Sequence, residues 1–418
     1  MSFQETLLRW RPWIVLAAAT GVNLSMGLNY SWSVIQKALV SDWHWTLVQA
    51  SLPYTAYAVV ITVAMLLSGK LQKLLGPRQA IRLGAVLMGL GLISCSFSQT
   101  PLLIACAYSF AALGAGICYS TTLPTVIAWF PAAKKGLVTG VVISGSGLAP
   151  IYVSFIANWL LLQYGISRTF LLLGIGVACL LLFMTLFITK APALAATAPV
   201  KTARFDPEAA AFHSGTSAFS WREMISTTLF WRLWFMYLFA SSAGLMIIGH
   251  IAMIAKKQAQ WDQAIYLVLL IALFNTLGRV AAGFFSDRFA LLNLMKGIFA
   301  VLAMDLLFFA SYETPLSLCA GAALLAFCYG TCPALFPLAV AEFFGVKNLS
   351  INYGVLFTAW GGAALIGPIV AGQVVDWTGG YLYAYLLSAG FMAVACALTF
   401  GIRQKALVTE ANVLYSEK

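Results

Sequence analysis

One arginine stands where a strongly apolar stretch should not carry a charge. Residues 267–286 read LVLLIALFNTLGRVAAGFFS, and Arg279 has no acidic residue beside it in that stretch. A charge near the middle of a membrane helix costs about 2.5–3.5 kcal/mol on insertion scales and normally faces a polar cavity. A guanidinium is a planar fork of donors that matches a carboxylate bidentately and stays charged at physiological pH. Asn275 lies one turn earlier on the same helix face, placed to orient the guanidinium or to bond a hydroxyl on a bound anion. His250, in the run SSAGLMIIGHIAM, can donate a hydrogen bond or carry a proton near neutral pH. Tyr119 and Tyr329 each combine a hydroxyl with an apolar ring wall. This set suits recognition of a small anion rather than bond-making chemistry. Each member has a plainer reading: Arg279 could snorkel or pair with a buried acid, and His250 could be bonded to a neighbour. Asp305, within FAVLAMDLLFF, is an intramembrane acid that stays outside this set.

The elements that must position these groups follow from composition. The chain has 418 residues, 61% hydrophobic and 9% charged, with mean hydropathy +0.90, too few charges for a soluble surface of that size. A hydrocarbon layer of about 30 Å takes roughly 20 apolar residues per helix. Twelve such spans are expected, at 13–37, 47–69, 79–98, 101–128, 137–162, 167–189, 228–254, 261–286, 291–311, 315–341, 350–375 and 380–402. The expected fold is an all-α membrane protein with two six-helix bundles. The first span is read as a retained helix rather than a signal peptide.

The net charge of +11 does not point to nucleic acid. With both termini inside, 19 of the 24 Lys and Arg residues fall on the cytoplasmic side and four, Lys37, Arg168, Lys256 and Lys257, on the other; Arg279 is the remainder. That is the positive-inside pattern, and it implies a cell membrane location with the lipid bilayer as partner. The eight cysteines lie in apolar spans and are expected to be free thiols; Cys328 and Cys332 read as small packing residues rather than a metal site. No cluster of metal ligands and no nucleophile–base pair appears, and His44, His213 and His250 fall in different places. Neither an enzyme nor a resident metal or cofactor is expected, and a monomer is the expected state.

Three regions are expected: a bundle at 1–189, a linker at 190–225 rich in Ala and Pro, and a second bundle at 226–418. The bundles echo each other. Ser68-Gly69-Lys70 matches Ser286-Asp287-Arg288, Trp129-Phe130-Pro131 matches Phe343-Phe344-Gly345, and Cys118-Tyr119-Ser120-Thr121 resembles Cys328-Tyr329-Gly330-Thr331, shifted by about one helical turn relative to those loops. Internal repeats with a site near the midplane are the plan of many secondary transporters.

The loop Gly69-Lys70-Leu71-Gln72-Lys73-Leu74-Leu75-Gly76-Pro77-Arg78 resembles the loop signature of the major facilitator superfamily, with Lys73 where that motif has an aspartate; Gly283-Phe284-Phe285-Ser286-Asp287-Arg288 keeps the acid. The resemblance implies that the acid caps a helix and helps close the cytoplasmic gate, and it leaves Lys73 as a topology anchor. Asn29-Tyr30-Ser31-Trp32, Tyr119, Trp129-Phe130-Pro131, Lys135-Gly136-Leu137, Phe274-Asn275, Arg279, Ala334-Leu335-Phe336-Pro337 and Asn352-Tyr353-Gly354 together resemble the oxalate:formate antiporter and monocarboxylate transporter branch.

That branch implies transport of small carboxylates, with Arg279 on the carboxylate. Asn275, His250, Tyr119 and Tyr329 would surround it, and Leu28, Phe336, Phe357 and Trp360 would supply walls. Where oxalate transporters of this type carry a second cation, this chain has Trp360, which suits a monoanion such as lactate or pyruvate. Where animal monocarboxylate carriers have an aspartate one turn before the arginine, this chain has Asn275, which leaves His250 or the substrate itself to carry a coupled proton. The expectation is proton-coupled monocarboxylate symport by alternating access. An oxalate:formate-like exchanger is the alternative within transport, and a non-transporting membrane sensor is the alternative outside it.

Overall fold

The computed structural model describes residues 3–27, 32–191, 219–261 and 265–402. Its helices, in chain order, are α1 (Phe3–Met26), α2 (Trp32–Asp42), α3 (Leu47–Cys95), α4 (Pro101–Ile127), α5 (Lys135–Thr185), α6 (Trp221–Ile225), α7 (Thr228–Gln258), α8 (Ile265–Ser286), α9 (Leu291–Phe308), α10 (Pro315–Phe344), α11 (Leu349–Thr378) and α12 (Leu382–Thr399). There is no strand among the described residues.

Nine of the described helices are long and apolar enough to cross a membrane. Two of them, α3 and α5, run to 49 and 51 residues. At 1.5 Å per residue each would be roughly 75 Å long, over twice the hydrocarbon thickness. Each is instead folded back at a glycine, Gly76 (φ 76°) in α3 and Gly165 (φ 72°) in α5, a backbone region that side-chain-bearing residues rarely adopt. Each therefore makes two passes. With α1, which lies lengthwise along α5, the passes come to twelve, and the chain is a multi-pass membrane protein.

Helix starts follow local chemistry. The Thr-Pro pair at 100–101 opens α4 and the pair at 314–315 opens α10, with proline at the first helical position, where a missing N–H costs nothing. Thr46 and Thr314 form capping boxes with Gln49 and Ser317. One expected span changes shape. The span at 13–37 is realised as two helices, α1 and α2, with residues 28–31 between them outside the described part. Trp32, at the start of α2, donates to the Ala50 carbonyl (2.9 Å) and packs its ring on Tyr108, which draws the short helix onto α3 and α4.

The apolar core is built half by half. Val22, Leu39, Tyr57, Tyr108 and Phe170 anchor the first, and Tyr237, Phe299, Phe309, Phe336 and Tyr385 the second. The second core also takes in Met65, Leu123, Ile127 and Ile143 from the first half, so the two are continuous at one level. Most of the expected linker at 190–225 lies outside the described residues. Its described end is docked rather than free: the Phe219 carbonyl accepts from Asn348 and Asn352 (3.0 Å each), and its ring meets Phe344.

Lys70, Lys73, Arg78, Lys134, Arg288 and Lys347 collect at one end of the bundle, called here the basic end. Four described cation–ring contacts belong to it: Lys134 on Trp13, Arg222 on Trp221, Arg288 on Phe284 and Lys296 on Phe400. Aromatic and basic side chains together mark a membrane interface. The two halves are sealed at this end. α5 meets α8 through glycines: a Cβ on Gly140 would lie 2.5 Å from the Arg279 carbonyl oxygen and 3.2 Å from the Cα atoms of Gly283 and Val280. α3 meets α11 in the same manner at Gly354, where a Cβ would stand 2.5 Å from the Met65 carbonyl oxygen.

Candidate functional site

The site is best followed upward from the basic end. Asp287, just beyond α8, accepts the N–H groups of Gly136 (2.7 Å) and Leu137 (2.9 Å) in the first turn of α5, which belongs to the other half. Those are orphan donors at a helix N-terminus, where a negative charge is favoured. Partial burial pushes the Asp287 carboxyl above the ordinary carboxylate range, and the two backbone bonds pull the other way. The matching position of the first half is Lys73. Its ammonium donates to Asn348 Oδ1 (2.8 Å) at the start of α11, which makes it a bridge between halves and more than a topology anchor. Ser350 of α11 adds a bond to the Ser120 carbonyl of α4 (3.3 Å).

Arg279 is the highest rung of this ladder. It is 3% exposed and reaches from α8 across to α5. Nε donates to Asn275 Oδ1 (3.0 Å) within its own helix; Nη1 donates to the Ile143 carbonyl (2.8 Å) and to Ser146 Oγ (2.5 Å) on the facing half. All three acceptors are neutral, and Nη2 makes no hydrogen bond to a described residue. Snorkelling is thereby excluded, since the guanidinium is turned into the seam. Hydrogen bonds between the halves run from the basic end up to this level through Lys73–Asn348, Asp287 on Gly136 and Leu137, Ser350–Ser120 and the Arg279 bonds. Gly147 makes room for the guanidinium: a Cβ there would stand 3.2 Å from Nε and 3.3 Å from Cζ.

Next to the arginine is an aromatic wall. The backbone of Asn275 packs on Gly330, the neighbour of Tyr329, and Asn275 Nδ2 approaches the Ala326 carbonyl (3.5 Å). Tyr329 lies against Gly244 of α7, where a Cβ would stand 2.7 Å from its Cγ, and its hydroxyl accepts from Trp360 Nε1 (3.2 Å). Trp360 stacks on Phe357 (5.0 Å), which meets Tyr119 of the other half (6.0 Å). Phe336 stacks on Tyr237 (4.1 Å), behind Phe357. The rings of Tyr119, Tyr329, Phe336, Phe357 and Trp360 are thus linked into one wall, with Arg279 and Asn275 bonded at its edge. No cation stands at Trp360, whose ring edge is spent on Tyr329.

Two expected members fall elsewhere. Leu28 lies outside the described residues. His250 is six residues beyond Gly244, about 9 Å farther along α7 toward the opposite end. There its Nδ1 lies 3.4 Å from the Tyr381 hydroxyl, between α11 and α12. It belongs to that end of the bundle, with Tyr381, rather than to the arginine. Asp305 is bonded by Tyr312 (3.0 Å) and lines a crevice of about 400 Å³ with Met304 and Phe308, which are themselves half exposed on the outer face.

Sequence reasoning missed Ser146, the Ile143 carbonyl and Tyr237, and named Tyr353 only as part of a family motif. Ser146 sits in a run of small residues that reads as close packing, and a backbone carbonyl has no sequence signature. Tyr237 and Tyr353 are buried beside Phe357, with the Tyr353 hydroxyl turned toward those of Tyr237 and Tyr119.

The comparisons with known proteins agree with this architecture. The chain is 24% identical to the oxalate:formate antiporter of Oxalobacter formigenes over 399 residues, covering 94% of this chain and 92% of that protein. It is also 24% identical to human monocarboxylate transporter 12 over 352 residues, covering 77% of this chain and 66% of that one. Among solved structures, the proton:xylose symporter XylE shares the fold with a TM-score of 0.70 at 13% identity, covering 94% of this chain and 95% of that chain. Residues 17–317 match the profile of the Major Facilitator Superfamily, and with twelve passes in two facing halves the chain belongs to that superfamily of membrane transporters.

Proposed function

We propose that the protein carries small monocarboxylates across the membrane, together with a proton, by alternating access, with Arg279 as the carboxylate-binding group. The observation that carries this reading is a buried guanidinium whose described partners are all neutral, held at the seam between the halves. A buried cation without a counter-charge is costly, and a monoanion supplies the missing charge. Asn275 orients Nε, Tyr119 and Tyr329 offer hydroxyls, and Phe336, Phe357 and Trp360 form the apolar wall for a short alkyl tail. A dianion would keep one charge uncompensated beside Trp360, which favours lactate- or pyruvate-like anions over oxalate. Leu28 completes the wall in this proposal. His250, at the mouth with Tyr381, is the candidate that passes the proton in from outside. The basic end is the cytoplasmic one, with both termini there, and the carrier works as a monomer in the cell membrane.

The similarity to an oxalate:formate antiporter supports a second reading, electroneutral or electrogenic exchange of carboxylates. Uptake of radiolabelled L-lactate into proteoliposomes separates the two. Symport predicts uptake driven by an inward proton gradient into empty vesicles. Uptake that requires internal carboxylate and ignores the gradient establishes exchange instead. Transport of neither lactate, pyruvate nor formate under any gradient refutes the carboxylate reading.

A further inference from the structure

We propose that Ser146 is a positioning residue that couples anion binding to opening of the basic end, by competing with the substrate for Arg279. The inference rests on the reading of Arg279 as the carboxylate site and adds a role for a residue on the facing half. A guanidinium has five N–H donors. Three are in use: Nε on Asn275, and both hydrogens of Nη1 on the Ile143 carbonyl and Ser146 Oγ. The two on Nη2 remain. A bidentate carboxylate needs two parallel donors from neighbouring nitrogens, so it must share Nη2 with either Nε or Nη1.

The Nε side is covered. Gly147 packs on Nε and Cζ so closely that even a Cβ there would lie within 3.2 Å and 3.3 Å, with 2.7 Å to Thr276 Oγ1. The remaining edge is Nη1–Nη2, and a carboxylate arriving there displaces Ser146. The bond that breaks is one that joins the halves, from α8 to α5. Below it, α5 and α8 are held by glycine contacts, by Ile143 in the shared core and by Asp287. A ligand shifts an equilibrium only by its differential affinity for the two states. Here the difference is the Ser146 bond, broken on binding in the sealed state and already absent in the open one.

Hydrogen exchange on the purified protein tests this without labels, with peptides from residues 135–147 and 279–291 reporting the seam. In Ser146→Ala these peptides should exchange about tenfold faster without anion, as expected for loss of one charge-assisted bond from the closed state. Ser146→Thr, which keeps the hydroxyl, should match the wild type. In the wild type, saturating sodium L-lactate or formate should speed exchange, and in Ser146→Ala it should add little. Peptides in α9 and α12 should be unchanged, and Ser146→Cys, with a weak acceptor of similar size, should behave as the alanine variant if that variant does not fold. The proposal is overturned if Ser146→Ala is as protected as the wild type, or if anion leaves wild-type exchange unchanged. Anion stabilisation of Arg279→Gln in a thermal shift would instead remove the carboxylate reading itself.

Discussion

The closed seam makes a steric prediction at Gly140. A Cβ there would meet the Arg279 carbonyl oxygen at 2.5 Å, and the Cα atoms of Gly283 and Val280 at 3.2 Å. All three are backbone atoms, so no rotamer change relieves the clash. To bring the closest contact to about 3.0–3.2 Å, α5 and α8 must part by roughly 0.5 Å or more. Overpacking of this kind costs about 1–3 kcal/mol. Because the strain exists only while the halves are sealed, Gly140→Ala should shift the closed-to-open balance by roughly 5- to 150-fold toward opening at the basic end, at about 1.4 kcal/mol per tenfold. Each half keeps its own core, and the melting temperature should therefore change little. The assay pairs hydrogen exchange at 135–147 and 279–291 with initial rates of anion uptake from the opposite side. Faster exchange with slower uptake is expected. Wild-type exchange and wild-type uptake in a folded Gly140→Ala protein would show that the seam does not close as described.

Other predictions follow from the site. Burial holds the Asp287 carboxyl above the ordinary value, and the folded state therefore binds its proton more tightly than the unfolded chain. Its ionisation lowers stability as pH rises from the ordinary carboxylate value, about 3.9, through the raised one, and adds nothing further above it. The wild type should gain melting temperature relative to Asp287→Asn as pH falls from 7 toward 4; a widening deficit on acidification would reverse the sign. Trp360→Lys places a second cation beside Tyr329 and Phe357. It should raise oxalate binding at least tenfold relative to lactate in a competition assay, and unchanged selectivity would contradict the one-cation argument. If His250 passes the proton at the mouth, His250→Gln should flatten the pH dependence of uptake without abolishing lactate binding, whereas an unchanged pH profile would assign the proton to another route.

Much of this fold was legible because a bilayer imposes one rule on every span. Runs of about 20 apolar residues have to be helices, and the spans from residue 228 onward match α7 to α12 closely. The first span departs because a buried indole, Trp32, needs an acceptor and finds it at Ala50, which starts a separate short helix. Within the site, Arg279 and Asn275 were legible because a charge and an amide one turn apart stand out in an apolar run. Tyr119, Phe336 and Trp360 were singled out by resemblance and register, and Tyr329 and Phe357 with them; what the structure adds is that their rings are linked. Ser146 was not, because a serine among glycines gives the same signal whether it packs or bonds a cation. His250 was grouped with the arginine on its polarity, but its place along α7 carries it to Tyr381. Lys73 looked like a lost motif, yet it reaches Asn348 and bridges the same two halves through a neutral acceptor.

The central claim is that Arg279 holds the carboxylate, and equilibrium binding tests it most directly. Titration of L-lactate into purified wild-type protein and into Arg279→Gln and Arg279→Lys, with hydrogen exchange confirming intact folding, isolates the guanidinium. Two charge-assisted bonds in a buried site predict a loss of about 100-fold or more in affinity for the glutamine variant. Lysine, a point donor without the planar fork, should recover only part of it. Lactate binding within threefold of wild type in a folded Arg279→Gln protein would contradict the account.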